Sequence, residues 1–90
     1  MIMKIRDAIE LSRQVVGLIN EVKEQKNITN YRLAQLSGLS EAYLSYLFKG
    51  ERQPTLASLF RITEALEINL ADIITKVEKT KSHENYRGFI

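Results

Sequence analysis

Apolar residues recur at spacings of three and four along most of the chain. Ile5, Ile9, Val15, Val16, Ile19 and Val22 follow this period, which is that of an amphipathic helix and not of a strand. The spacing predicts one long helix or two short ones. Gly17 lies inside and costs roughly 1 kcal/mol relative to Ala, which makes it the point where two short helices would part. The stop is expected near Lys26 and Asn27, because Asn tolerates the left-handed turn that ends many helices. Thr29 then N-caps a second helix from Asn30 to about Ser37. Gly38 closes it by supplying a positive φ. Ser40 caps a third helix, Glu41 to Lys49, which Gly50 terminates. Pro54 imposes extended chain before Thr55, the N-cap of a fourth helix from Leu56 to Leu66. Leu56, Leu59, Phe60, Ile62 and Leu66 are assigned to its inner side. Asn69 caps the fifth helix, with Asp72 where a capping-box partner stands. Leu70, Ile73, Ile74 and Val77 form its apolar face. From Thr80 onward the pattern dissolves. No stretch alternates cleanly enough for a strand, so the fold class is all-α with five helices. The expected organisation is an N-terminal helical extension over 1–14, a domain over 15–79, and a mobile tail over 80–90.

Composition narrows the function classes. Ninety residues allow one domain, and that length buries a core without staples. The chain has no Cys and one His, His83. Disulfides and thiolate chemistry are excluded, and a zinc or other metal site is not expected. His83 is assigned to the tail. No apolar run approaches the 18 or so residues of a membrane span. Lys4, Arg6, Asp7 and Glu10 interrupt the N-terminal apolar residues, which argues against a signal peptide. A cytoplasmic protein is the expectation. Asp7 and Asp72 are the only Asp residues and lie at opposite ends of the chain. With no nucleophile–base set, paired carboxylates or phosphate-cradling Gly loop in view, the chain does not read as an enzyme, and no cofactor is expected.

The informative stretch is residues 30–49, NYRLAQLSGLSEAYLSYLFK. It is a helix, a Gly turn and a second helix in 20 residues. The small Ala34 lets the two helices cross closely, Gly38 carries no Cβ to oppose the left-handed turn, and Leu39 plugs it. Leu33, Leu44 and Leu47 fill the wedge between helices meeting at about 90–120°. On these residues the chain resembles the lambda-repressor-like helix-turn-helix domain of the XRE (Cro-type) transcriptional regulators. The resemblance runs from Ile19 to Ile74. It takes in Ile19, Val22 and Lys26, then ITxxxLAxxxGLS from Ile28 to Ser40, then the Leu44, Leu47, Gly50 and Pro54 spacing, and finally the run TLxxLxxITEALEINLADII. Four features depart from the family pattern. Ser37 stands where an apolar residue commonly precedes the turn Gly, and Glu67 where a C-terminal Gly is usual. Phe48 occupies a position that is often acidic, and the chain starts about 12 residues earlier than a minimal domain.

The resemblance implies that the third helix enters the major groove of double-stranded DNA with its N-terminal residues nearest the base edges. A helical wheel separates the same face: Leu44, Leu47 and Phe48 on one side, Ala42, Ser45, Tyr46 and Lys49 on the other, Glu41 at the leading edge. By resemblance Glu41, Ala42 and Tyr46 hold the main base-contact positions. Glu41 suits the cytosine amino group, Ala42 a thymine methyl, and Ser45 several edges. Lys49 and Arg52 are the phosphate candidates. Asn30 reaches a phosphate from a helix N-terminus that favours negative charge. Arg32, Ser40 and Tyr43 complete the candidate set. The function implied is a sequence-specific repressor acting as a homodimer, because one module covers one half-site. The N-terminal segment is assigned to intrachain packing and the C-terminal helix to dimerisation. The alternative is an antitoxin or other protein-interaction module with a toxin or similar protein partner. Charge alone does not argue for DNA. The net charge is +2, and residues 27–74 carry four basic and five acidic groups, so affinity would have to come from placement.

Overall fold

The computed structural model describes the backbone of residues 5–89 and the side chains of residues 7–79. The helices are α1 (Ile5–Gln25), α2 (Asn30–Ser37), α3 (Glu41–Phe48), α4 (Leu56–Ala65) and α5 (Leu70–Phe89), and the described residues contain no strand. The all-α, five-helix architecture of a lambda-repressor-like domain is therefore the fold of this chain. α2 packs on both α3 and α4, while α1 lies along α5 and touches α3, and α4 meets α5. The core between them is Val15, Val16, Ile19, Leu33, Leu44, Leu47, Ile62, Leu66, Leu70, Ile73 and Val77. Leu33, Leu44 and Ile62 have no exposed surface at all. Their burial contributes roughly 1.5–3 kcal/mol each.

Each helix ends as its local sequence requires. Thr29, Ser40 and Thr55 accept from the backbone N–H groups of Arg32, Tyr43 and Ser58, at 3.1, 3.0 and 3.0 Å. These caps satisfy donors that a helix start leaves unpaired. Asn69 accepts from the Ala71 N–H at 2.7 Å. At the other ends, Asn27 (φ 59°), Gly50 (φ 80°) and Glu67 (φ 59°) are left-handed. Each carries the paired return bonds of a Schellman motif: Ile28 N–H to Lys23 C=O with Asn27 N–H to Glu24 C=O, Glu51 to Tyr46 with Gly50 to Leu47, and Ile68 to Thr63 with Glu67 to Glu64. Glu67 thus adopts the geometry for which Gly is usual, with a Cβ that opposes it.

Of the two alternatives for the first apolar stretch, one long helix is the one formed: α1 is continuous from Ile5 to Gln25, through Gly17. Other expectations from the periodicity are revised. α3 ends at Phe48 and α4 at Ala65, one residue short of the expected ends, with Lys49 and Leu66 as caps. The backbone of α5 runs to Phe89; the reading of 80–90 as a mobile tail concerns residues whose side chains lie outside those described. Leu56 and Phe60 are not on the inner side of α4. They are 63% and 50% exposed. The inner stripe is Ser58, Leu59, Ile62, Thr63 and Leu66. Two hydroxyl residues fit inside because each finds a local acceptor: Ser58 Oγ donates to the Thr55 carbonyl at 2.8 Å and Thr63 Oγ1 to the Leu59 carbonyl at 2.9 Å.

Lys23 is buried at the last turn of α1, with 4% of its surface exposed. Its Nζ donates to the Ile28 carbonyl at 3.2 Å and to Glu24 Oε2 at 3.0 Å, and lies 5.6 Å from the centre of the Phe48 ring. A cation over an aromatic face is attracted by the ring quadrupole. Phe48 therefore faces a buried positive charge. Lys23→Ala removes the stem packing, the loop hydrogen bond and the ring contact together, and is expected to lower unfolding stability by about 2 kcal/mol in urea. A change within a few tenths of a kcal/mol would show that the contacts of Lys23 are incidental. Glu67→Gly is expected to stabilise by about 1 kcal/mol by removing the left-handed Cβ penalty. In a domain of this size that raises the melting midpoint by roughly 4–8 °C; an unchanged or lower midpoint would contradict the strain assigned to Glu67.

Candidate nucleic-acid interface

α2 and α3 meet at Gly38, whose φ of 76° is left-handed. Its N–H returns to the Ala34 carbonyl at 3.0 Å. Ser37, buried beneath the turn, accepts from the Leu39 N–H at 3.3 Å through its hydroxyl, and its carbonyl accepts from Arg61 Nη1 of α4 at 3.3 Å. A Cβ on Gly38 would stand 3.0 Å from that same Arg61 nitrogen. The left-handed dihedral is what favours Gly here, and a Cβ would also push the end of the Arg61 side chain aside. The polar residue before the turn is used: its side chain braces the turn at Leu39 and its carbonyl fastens it to α4. Arg61 escaped the sequence reading, since no periodic or motif signal marks a guanidinium that reaches back 24 positions.

The turn presents α3 with Leu44 and Leu47 inward and Phe48 half-buried. Glu41, Ala42, Tyr46 and Lys49 are exposed on the opposite face, and Ser45 is half-buried beside them. Tyr46 is 48% exposed, a large aromatic left toward solvent. Arg32 is exposed on α2 and bonds Gln35 Oε1 at 3.2 Å. Asn30 is half-buried in the first turn of α2. Its Oδ1 is buried and has no hydrogen-bond partner among the described residues, so the N-terminus of that helix holds a polar group still open to a donor. The hydroxyl of Ser40 is committed to capping α3.

Tyr43 occupies a different environment from its neighbours on α3. It is half-buried, packs against the core, and donates its hydroxyl proton to Ser58 Oγ at 3.1 Å. Ser58 also accepts from the Thr55 N–H at 3.0 Å and donates to the Thr55 carbonyl, so this one hydroxyl joins the flank of α3 to the capping box that opens α4. The Arg52 guanidinium lies 5.6 Å from the centre of the Tyr43 ring. Arg52 is thereby steadied beside α3 while remaining exposed. Of the ten sequence-derived candidates, six (Glu41, Ala42, Ser45, Tyr46, Lys49 and Arg52) lie on or just after the outer face of α3. Asn30 and Arg32 lie on α2. Ser40 and Tyr43 serve local structure with the groups described.

The arrangement can do recognition chemistry: hydrogen-bond acceptors, an aromatic ring and cations on one short helix and its flanks, held by a buried wedge. Among the described residues no group of three or more His, Asp or Glu is placed to hold a metal ion, and no helix is long and apolar enough to cross a membrane.

Comparison with known proteins agrees with this geometry. The helix-turn-helix family model matches residues 19–73. An uncharacterized HTH-type transcriptional regulator, y4dJ of Sinorhizobium fredii, is 30% identical over 69 residues, covering 76% of this chain and 90% of that protein. The crystal structure of the restriction-modification controller protein C.AhdI from Aeromonas hydrophila superposes with a TM-score of 0.64 at 25% identity, over 71% of this chain and 96% of that one. The turn geometry at Gly38, the four-helix frame around it and these matches together place the chain in the XRE (Cro-type) helix-turn-helix family of transcriptional regulators.

Proposed function

We propose that this protein is a sequence-specific DNA-binding repressor that binds operator DNA as a homodimer, with α3 in the major groove. The observation that carries the reading is the outer face of α3. Glu41, Ala42 and Tyr46 stand exposed where a helix-turn-helix presents its base-reading side chains, with Lys49 and Arg52 immediately after. Glu41 offers an acceptor to a cytosine amino group and Ala42 a methyl contact to thymine; Ser45 suits more than one edge. Lys49, Arg52, Arg32 and the start of α2 at Asn30 supply phosphate contacts, which set register but carry no sequence information. No Arg or Gln on this face offers a bidentate match to guanine or adenine, so direct readout is modest. One module spans one half-site, so affinity depends on pairing two copies about one helical turn apart. The C-terminal helix is the proposed dimerising element.

A protein-interaction role, such as an antitoxin with a toxin partner, is the second reading. It draws on Leu56 and Phe60, four residues apart and exposed on the outer side of α4, where apolar surface is available to a protein partner.

The decisive measurement is a titration of labelled DNA from the protein's own promoter against random duplex at several salt concentrations. Specific binding that weakens with log salt is expected, with a shallow slope because few cations face the DNA. Equal affinity for both duplexes would overturn the repressor reading. Lys49→Ala should weaken binding about equally on all sequences. Tyr46→Ala should cost ~1–3 kcal/mol at one or two base positions; unchanged base preferences would remove Tyr46 from the readout. Light scattering should return twice the 10.4 kDa chain mass, and a monomer at the concentration that saturates the operator would exclude the homodimer.

A further inference from the structure

A cleft of about 330 Å³ opens between the N-terminal half of α1 and the segment that follows α3. It adjoins the outer face of α3 at Lys49, and Ser12, Arg13, Val16 and Gly17 form its α1 side. Its volume falls at the small end of the range for ligand sites, roughly 300–1,000 Å³. Phe48 and Pro54, both half-buried, give it apolar lining with Val16 behind them, and Arg13, Lys49 and Arg52 bring three cations against the single carboxylate of Glu51. Among the described residues the side chains of Arg13 and Lys49 have no hydrogen-bond or ion-pair partner. They are uncommitted positive charges beside an apolar hollow.

Gly17 lines the same cleft. It sits in the middle of a continuous helix, where Gly costs about 1 kcal/mol relative to Ala. No packing requirement offsets that cost, because a Cβ built at Gly17 meets nothing within 4 Å. What the missing side chain leaves is space on the α1 side of the cleft.

We propose that this cleft binds a small amphipathic anion, a carboxylate on a short hydrocarbon or aromatic body. The body occupies the hollow beside Gly17, Val16 and Phe48, and the carboxylate meets Arg13 and Lys49 in charge-assisted hydrogen bonds. The site stands independently of DNA. One consequence does rest on the proposed function: Lys49 and Arg52 are also the phosphate candidates, so an occupied cleft competes with DNA for them, and the anion acts as an inducer.

The full-length, isotope-labelled protein is titrated by NMR with octanoate and with benzoate. Octanol serves as the uncharged control and inorganic phosphate as the anion without a body. Octanoate and benzoate are expected to shift the amide signals of Gly17, Gly50 and Glu51 saturably, with octanol and phosphate at least about tenfold weaker. Gly17→Leu fills the hollow from a position with room for a side chain and strengthens the helix. It should abolish the carboxylate response while leaving the melting midpoint unchanged or raised. Arg13→Gln and Lys49→Gln should each weaken octanoate about tenfold. Non-saturating shifts, an undiminished response in Gly17→Leu, or phosphate binding as tightly as octanoate would each overturn the proposal. In the promoter titration, octanoate should release DNA from the wild-type protein and not from Gly17→Leu. Carboxylate binding without release overturns the inducer role alone, and absence of specific DNA binding overturns the repressor reading while the NMR result still decides the site.

Discussion

Two eight-residue helices, α2 and α3, must hold a fixed angle, and helices that short are not stable alone in water. Everything else in the structure answers to that constraint. Each has its first turn capped by a hydroxyl, Thr29 or Ser40, and its last turn closed by a left-handed Gly. Leu33 of α2 and Leu44 and Leu47 of α3 are at most 1% exposed, so the inner face of each helix is fully used. The outer faces are then free to carry residues that contribute nothing to the core. The separation is why a recognition surface can vary on this frame without unfolding it.

Polar groups lock the frame where apolar packing cannot. Lys23 and Ile28 exchange two hydrogen bonds, backbone N–H to carbonyl in one direction and Nζ to carbonyl in the other, across the α1–α2 turn. The same Nζ reaches the ring of Phe48, so the end of α1, the loop before α2 and the end of α3 share one buried cation. On the other side Tyr43, Ser58 and Thr55 form a chain of hydrogen bonds from α3 to the start of α4. Arg61 ties α4 to the last carbonyl of α2. Two of these polar links reach α3 and the third joins α2 to α4, and buried polar groups with complete partners specify geometry as well as stability.

The electrostatics of the family surface are local. Residues 27–74 carry four basic and five acidic groups, so no general positive field draws DNA to the domain. Arg32, Lys49 and Arg52 lie around α2 and α3, whereas Glu64, Glu67 and Asp72 belong to α4, its C-terminal turn and α5. Arg13 of α1 joins Lys49 and Arg52 at the cleft, extending the cationic edge in a direction the motif alone does not mark. Glu41 and Glu51 lie among these cations, so under the proposed function DNA affinity rests on the placement of a few of them.

Much of this was legible in one dimension. Helix spacing, three hydroxyl caps, Gly38 and Gly50, and the left-handed turn at Asn27 all depend on residues within one turn of each other, and local chemistry decides them. So does the separation of α3 into an inner Leu face and an outer polar face, and with it the family resemblance that the comparisons sustain. What the sequence left wrong or silent involves distant partners. Leu56 and Phe60 look like core by residue type, yet α4 turns Ser58 and Thr63 inward because its neighbours lie on that side and local carbonyls satisfy the hydroxyls. Lys23, Tyr43 and Arg61 carry no sign of their partners in the sequence: Phe48, Ser58 and Ser37 are brought beside them from as many as 25 positions away. The cleft beside Gly17 likewise exists only once α1 lies against the segment after α3. The sequence by itself determined the five helices, the hydroxyl and left-handed caps that bound them and the two faces of α3, since these follow from hydrogen bonding and side-chain spacing over a few residues. Tertiary packing alone decided which face meets which neighbour, because burial and long-range hydrogen bonds are properties of pairs.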